Sequence, residues 1–228
     1  MSNHIIPLGF YGLAIILLLV RMITKEKRDF ILSIFAITLG SGYAMITMQF
    51  SVLTYFFIAI LLSLIGDLLM AEWIKITEHR TVDGAIFFGL AHLTYIFAFY
   101  RLNVGGFMLR QDWWMLVLGL TMIIVFFKLI ADNNKLHTAI RVSNALYTII
   151  IVTLFVMVLS FAITSRTPDP VKIISLGGIF LFMLSDSVLA YNEFQKPVAH
   201  AKEIIAITYI VAQVLLQLSP LLTLLISE

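Results

Sequence analysis

Eight runs of about 20 mostly apolar residues, divided by short breaks marked by charge, Pro or Gly, decide what this chain can fold into. A run of that length crosses the hydrocarbon core of a bilayer as a helix, where it satisfies its own backbone hydrogen bonds without water. The runs lie near residues 5–23, 30–47, 51–71, 84–100, 113–131, 141–163, 172–191 and 204–226. The least marked break, at Thr47-Met48-Gln49, is short and uncharged. No segment remains for a soluble domain, so the expected fold is all-α: a polytopic membrane protein with eight transmembrane helices in a single domain, residues 1–228.

Composition agrees. Of 228 residues, 61% are hydrophobic and only 12% charged, with a mean hydropathy of +1.03; soluble domains carry about 25% charged residues. The chain has no Cys, which removes disulfides, thiolate metal sites and thiol nucleophiles together. A net charge of +2, spread over short loops, gives no nucleic-acid footprint. The first run has no Lys or Arg before it and no small-residue cleavage pattern after it, so it reads as a retained helix.

Lys and Arg set the orientation. Arg21, Lys25, Lys27, Arg28, Lys75, Arg80, Lys128, Lys135, Arg141, Lys196 and Lys202 follow the odd-numbered runs, while Arg101, Arg110, Arg166 and Lys172 lie on the other side. The expectation is a multi-pass cell-membrane protein with both termini extracytoplasmic. Trp73, Trp113, Trp114 and Tyr191 fall at run ends, where interfacial aromatics collect.

Against this background Asp67, inside Ser63-Leu64-Ile65-Gly66-Asp67-Leu68-Leu69-Met70-Ala71, stands out. A second Asp has a similar setting: Gly66-Asp67-Leu68-Leu69-Met70-Ala71 resembles Ser185-Asp186-Ser187-Val188-Leu189-Ala190. Downstream, Phe88-Gly89-Leu90-Ala91-His92 parallels Tyr209-Ile210-Val211-Ala212-Gln213. These pairs define a candidate parallel repeat of four helices used twice, in halves 1–105 and 106–228. On the expected orientation both Asp residues lie roughly 8–9 Å inside the cytoplasmic boundary, with His92 and Gln213 at roughly 13–15 Å. Arg141, Asn144 and Tyr147 share one face at the same end of the sixth run.

Each residue has a plainer reading. An Asp within a span costs about 2.5–3.5 kcal/mol on insertion scales and otherwise snorkels or ties helices together. His92 serves equally as a neutral interhelical donor, and Asn144, Tyr147, Tyr209, Gln213 and Gln217 as polar links between membrane helices. Two Asp at matched depth, with Ser63 one turn before Asp67, favour a site. Only His92 of the five His lies within a run, so an all-His zinc centre is not expected. No G-x-S-x-G, P-loop or G-x-G-x-x-G motif occurs. Carboxylate chemistry remains, with no cofactor and no metal required.

Taken together, Ser63-x-x-Gly66-Asp67, Phe88-Gly89-Leu90-x-His92-x-x-Tyr95, Asn144-x-x-Tyr147, Gly178 with Ser185-Asp186, and Tyr209-x-x-Ala212-Gln213 resemble the YhhN family of integral membrane proteins. Many relatives have Lys-Pro entering the second span; this chain has Lys27-Arg28-Asp29. The resemblance implies hydrolysis of the vinyl ether bond of a lysoplasmalogen, giving a fatty aldehyde and a glycerophospho-choline or -ethanolamine. The partners it implies are a lysophospholipid or lysoplasmalogen substrate and the bilayer itself.

The residues suit that reaction. It needs one carboxylic acid to protonate the carbon β to oxygen and one carboxylate to stabilise the cation and deprotonate water. Two Asp held together in a low-dielectric site do not ionise independently and supply both forms, titrating as a pair. Asp67 and Asp186 are the expected catalytic pair. Ser63, His92, Tyr95, Arg141, Asn144, Tyr147, Ser185, Tyr209 and Gln213 are the expected substrate-binding set. Tyr147, Tyr191 or Trp73 suit a quaternary ammonium, and Arg141 a phosphate. Two other readings stay open: a proton-coupled carrier of a small amphiphile, and a non-catalytic lipid-binding protein. Oligomeric state and head-group preference are not legible.

Overall fold

The computed structural model describes residues 4–102, 113–126, 128 and 138–227. Over these residues the chain forms α1 (Ile5–Thr24), α2 (Lys27–Met48), α3 (Ser51–Met70), α4 (Arg80–Leu102), α5 (Trp113–Phe126), α6 (Thr138–Thr164), α7 (Asp169–Phe194) and α8 (Ala201–Ser227). Seven of them are long and apolar enough to cross a membrane, so the protein is an all-helical, polytopic membrane protein. Helix α5 is described over 14 residues. The rest of the expected fifth span, Arg110, Lys135 and the 105/106 boundary between the expected halves lie outside the described residues.

The helices overrun the apolar runs that announce them. Helix α4 starts at Arg80 rather than 84, α6 at Thr138 rather than 141, and α7 covers 169–194 rather than 172–191. Hydropathy marks where lipid ends, whereas a helix continues while its backbone bonds can be made and no breaker intervenes. Among the described residues, four non-glycine residues with positive φ, Lys25, Gln49, Glu72 and His200, sit in the junctions. At the end of α3 the chain turns through Glu72, with the Ala71 N–H donating to the Asp67 carbonyl and the Trp73 N–H to the Leu68 carbonyl, both at 2.9 Å. Helix α3 thus stops three residues after Asp67, while α7 runs eight residues past Asp186. Measured from their helix ends the two Asp differ, roughly 4–5 Å against 12 Å.

Helices α1/α2, α3/α4 and α7/α8 pack as neighbouring hairpins, α4 also lies on α6, and α8 reaches α1, α2 and α3. Helices α3 and α8 are the most enclosed: 56% of their spanning windows is buried, against 22% for α1. Leu39, Ile46, Leu90, Leu93, Leu120, Ile163, Ile173 and Phe180 face outward, as lipid-facing side chains do. Inside, small residues bring backbones together. A Cβ on Gly178 would stand 3.0 Å from Leu216 Cγ and 3.2 Å from its backbone nitrogen. Ser175 and Ser219 link α7 to α8 across 2.9 Å.

The break between α2 and α3 gives a direct test of backbone strain. Gln49 is exposed, holds φ 51° and ψ 23°, and pays the Cβ–carbonyl conflict of that region, about 1 kcal/mol. Gln49→Gly is expected to raise stability by about 1 kcal/mol, read by thermal or denaturant unfolding in detergent micelles; an unchanged or lower midpoint contradicts the account.

Candidate active site

Asp67 on α3 and Asp186 on α7 both point inward, and each receives a tyrosine hydroxyl. Tyr209 on α8 donates to Asp67 Oδ2 at 2.8 Å, and Tyr147 on α6 donates to Asp186 Oδ2. His92 on α4 brings Nε2 to 3.9 Å from Asp186 Oδ2. Each carboxyl is therefore met from a helix remote in sequence.

A ring cluster fixes these directions. Gly66 lacks the Cβ that would stand 2.9 Å from the Phe88 ring, so Phe88 closes on α3 beside Asp67. Phe88 and Phe182 pack edge-on to Tyr209, with centroids 6.2 and 5.3 Å away. Phe182 also packs on His92 at 4.7 Å. The ring of His92 is held further by Nδ1, which contacts the Phe88 carbonyl one turn earlier. A carbonyl only accepts, so Nδ1 carries the hydrogen and Nε2 turns its other valence toward Asp186. Nε2 is buried and has no hydrogen-bond partner. At 3.9 Å the approach to Asp186 is longer than a hydrogen bond, so Nε2 faces the carboxyl without being satisfied by it.

Behind the carboxyls lies a second buried network. Tyr95 donates to Gln213 Oε1 at 2.8 Å, and Gln217 Nε2 donates to the Tyr95 hydroxyl at 2.7 Å and to the Phe56 carbonyl at 3.0 Å. The Gln213 amide nitrogen is buried without a hydrogen-bond partner. Tyr95 and Gln213 thus tie α4 to α8; neither lines the cavity described next. Ser63 is buried one turn before Asp67, its hydroxyl unpartnered. Ser185 makes a long contact of 3.4 Å with the Ile205 carbonyl and joins α7 to α8. Arg141 lies partly exposed at the start of α6, outside the cavity wall.

Two adjoining cavities, of about 30 and 50 Å³, share Asn144, Tyr147, Asp186 and Ala190. The larger runs between α4, α6 and α7, from Phe88 and Asp186 past Met70, Thr81 and Ala85 to Leu189, Glu193 and Phe194. A water needs about 10–15 Å³ of such space and two or more polar partners, and this wall offers a carboxylate, a phenol and an amide. Asn144, a residue of both walls, is 9% exposed, and its Nδ2 is buried without a hydrogen-bond partner. Among the described residues no three His, Asp or Glu side chains converge as metal ligands do.

The YhhN family model matches residues 31–220, a range that contains both carboxyls and every side chain that contacts them. The chain belongs to the YhhN family. A 42-residue segment is 50% identical to the lysoplasmalogenase TMEM86B of Sus scrofa; it makes up 18% of this chain and covers 19% of that protein's length. No solved structure matches this YhhN chain.

Within this family member the sequence reading missed Thr81, Glu193 and Phe182. Phe182 carries no polar signal among 18 Phe, and only the fold sets it between His92 and Tyr209. Glu193 and Thr81 fall just outside the apolar runs and read as boundary residues, yet the overrunning ends of α7 and α4 bring both to the cavity.

Removing the hydroxyl that meets Asp67 leaves a buried carboxyl without its donor. Tyr209→Phe is expected to cost about 1–3 kcal/mol, read from the unfolding midpoint in detergent, while Tyr100→Phe at an exposed phenol (54%) changes little. Equal effects for the two variants rule the buried hydrogen bond out as a support of the fold.

Proposed function

We propose that this YhhN protein hydrolyses the vinyl ether bond of a lysoplasmalogen through Asp67 and Asp186. The observation that carries the reading is the geometry of Asp186: an interior carboxyl on a water-sized cavity, hydrogen-bonded by Tyr147 and faced by the free Nε2 of His92. The family membership and the short likeness to a lysoplasmalogenase support the choice of substrate.

In the proposed reaction Asp186, in its protonated form, gives its proton to the vinyl carbon β to oxygen, and an oxocarbenium ion forms. The Asp67 carboxylate stabilises that cation across the site. Water in the chamber adds to the carbon bearing oxygen and passes a proton to Asp186, aided by His92 Nε2. The hemiacetal then collapses: its hydroxyl proton leaves, the ether oxygen accepts a proton, and the C–O bond breaks. The products are a fatty aldehyde and the glycerophospho-alcohol, so one water is consumed and no proton is gained or lost. Tyr147 and Tyr209 hold the carboxyls in place and distinguish their surroundings. The excess of Lys and Arg in the loops on this side supports a cytoplasmic position for this end of the bundle, with both termini on the other side.

The test is aldehyde release from lysoplasmalogen by purified protein in detergent or liposomes. Asp186→Asn and Asp67→Asn are each expected to lower the rate about 100-fold or more, with the protein still folded by its thermal unfolding profile. Absence of aldehyde from the intact protein, or full rates in both variants, ends the proposal. Substrate-dependent proton uptake into sealed vesicles in place of aldehyde release points to the carrier reading.

A further inference from the structure

The cavity that begins at Asp186 ends at an ion-paired rim. Glu193 lines it on α7, two turns beyond Asp186 on the same helical face. Opposite, Arg80 at the start of α4 places Nη2 3.6 Å from Glu193 Oε1 and Nη1 3.1 Å from Glu72 Oε1. Arg80 is followed by Thr81, which is part of the cavity wall. The chamber thus runs from Asp186 to Glu193, whose ion-pair partner Arg80 lines a separate cavity with Glu72.

We propose that Arg80 and Glu193 form the head-group subsite, Arg80 taking the phosphate and Glu193 a primary ammonium, so that the protein prefers ethanolamine over choline. The inference rests on the vinyl ether reading of the preceding section. Length supports it: seven residues of helix separate Asp186 from Glu193, a rise of about 10.5 Å. From the ether oxygen through glycerol and phosphate to the amine nitrogen runs a chain of about nine bonds, roughly 11 Å when extended. With the vinyl ether at Asp186, the amine reaches Glu193 and the phosphate falls short of it, within reach of the Arg80 guanidinium. Asn144 Nδ2, buried without a partner beside Asp186, stands at the level of the glycerol, where the free hydroxyl of a lyso lipid accepts a hydrogen bond.

Charge exchange gives the site its selectivity. Without ligand, Arg80 neutralises Glu193; a phosphate on Arg80 takes over that pairing and frees the Glu193 carboxylate for the cationic end of the same zwitterion. A primary ammonium donates hydrogen bonds to a carboxylate, whereas a trimethylated one has no hydrogen to donate. Side-chain exposures of 44% for Arg80 and 31% for Glu193 keep both groups open to an entering head group.

The experiment measures binding of a saturated 1-O-alkyl lysophosphoethanolamine and of its choline counterpart in detergent micelles, by calorimetry. Neither ligand has a double bond to protonate, so affinity is read apart from catalysis. The intact protein is expected to bind the ethanolamine ligand about tenfold more tightly, Glu193→Gln to reduce that ratio to about twofold or less, and Arg80→Gln to weaken both ligands. The ratio is taken on one preparation and does not depend on the folded fraction. Glu72→Gln, which removes the other partner of Arg80, is expected to keep the ratio. No discrimination by the intact protein, a ratio untouched by Glu193→Gln, or an equal collapse in Glu72→Gln overturns the subsite. Aldehyde assays with the alkenyl forms separate the two claims: hydrolysis without head-group preference defeats the subsite alone, and preference in binding without hydrolysis defeats the catalytic reading alone.

Discussion

Two carboxyl groups inside a bundle of membrane helices set the demand that the surrounding structure meets. Away from water a carboxyl needs hydrogen-bond donors, and the backbone has none to give because its own N–H groups are used within helices. The donors here are phenols: Tyr209 for Asp67 and Tyr147 for Asp186. A phenol supplies a strong donor on a large apolar body, so it satisfies the carboxyl while its ring packs among Phe88 and Phe182.

That demand also binds the fold together. Each carboxyl is served by a helix far away in sequence, α8 for Asp67 and α6 with α4 for Asp186, so the hairpins α3/α4 and α7/α8 cannot separate without orphaning a polar group. Gly66 and Gly178 permit the close approach that this needs, since a Cβ at either would strike Phe88 or Leu216. The Tyr95–Gln213–Gln217 network repeats the principle deeper in the bundle, with every bond running between helices or to the Phe56 carbonyl.

The two Asp are alike in chemistry and unlike in access. Asp186 borders the cavity together with Asn144, whose amide nitrogen is unsatisfied, and faces the unsatisfied Nε2 of His92, whereas Asp67 is buried, hydrogen-bonded by Tyr209 and not part of the cavity wall. Unpaired buried donors weaken a fold, and the one on Asn144, a residue of the chamber wall, suits a site that completes its hydrogen bonds with water or ligand. The proposed division of labour between the carboxyls follows from this difference in access.

Periodicity and hydropathy were sufficient to read the number of apolar helices, their order, and the presence of two acids and one His within the apolar runs, because lipid leaves a 20-residue apolar run few alternatives to a helix. The motif residues Asp67, His92, Tyr147, Asp186 and Tyr209 were also legible, since polar groups are conspicuous against such a background. Sequence did not distinguish Tyr95 and Ser185, which bond between helices, from Asn144, which lines the chamber, because spacing along one helix does not report what the next helix presents. Nor did it place Glu193 and Arg80 at the site, because hydropathy ends where the helix does not. Composition determined that the chain would be a membrane helix bundle with interior acids; tertiary packing decided which acid meets the cavity, since access depends on the side chains of neighbouring helices that close over each one.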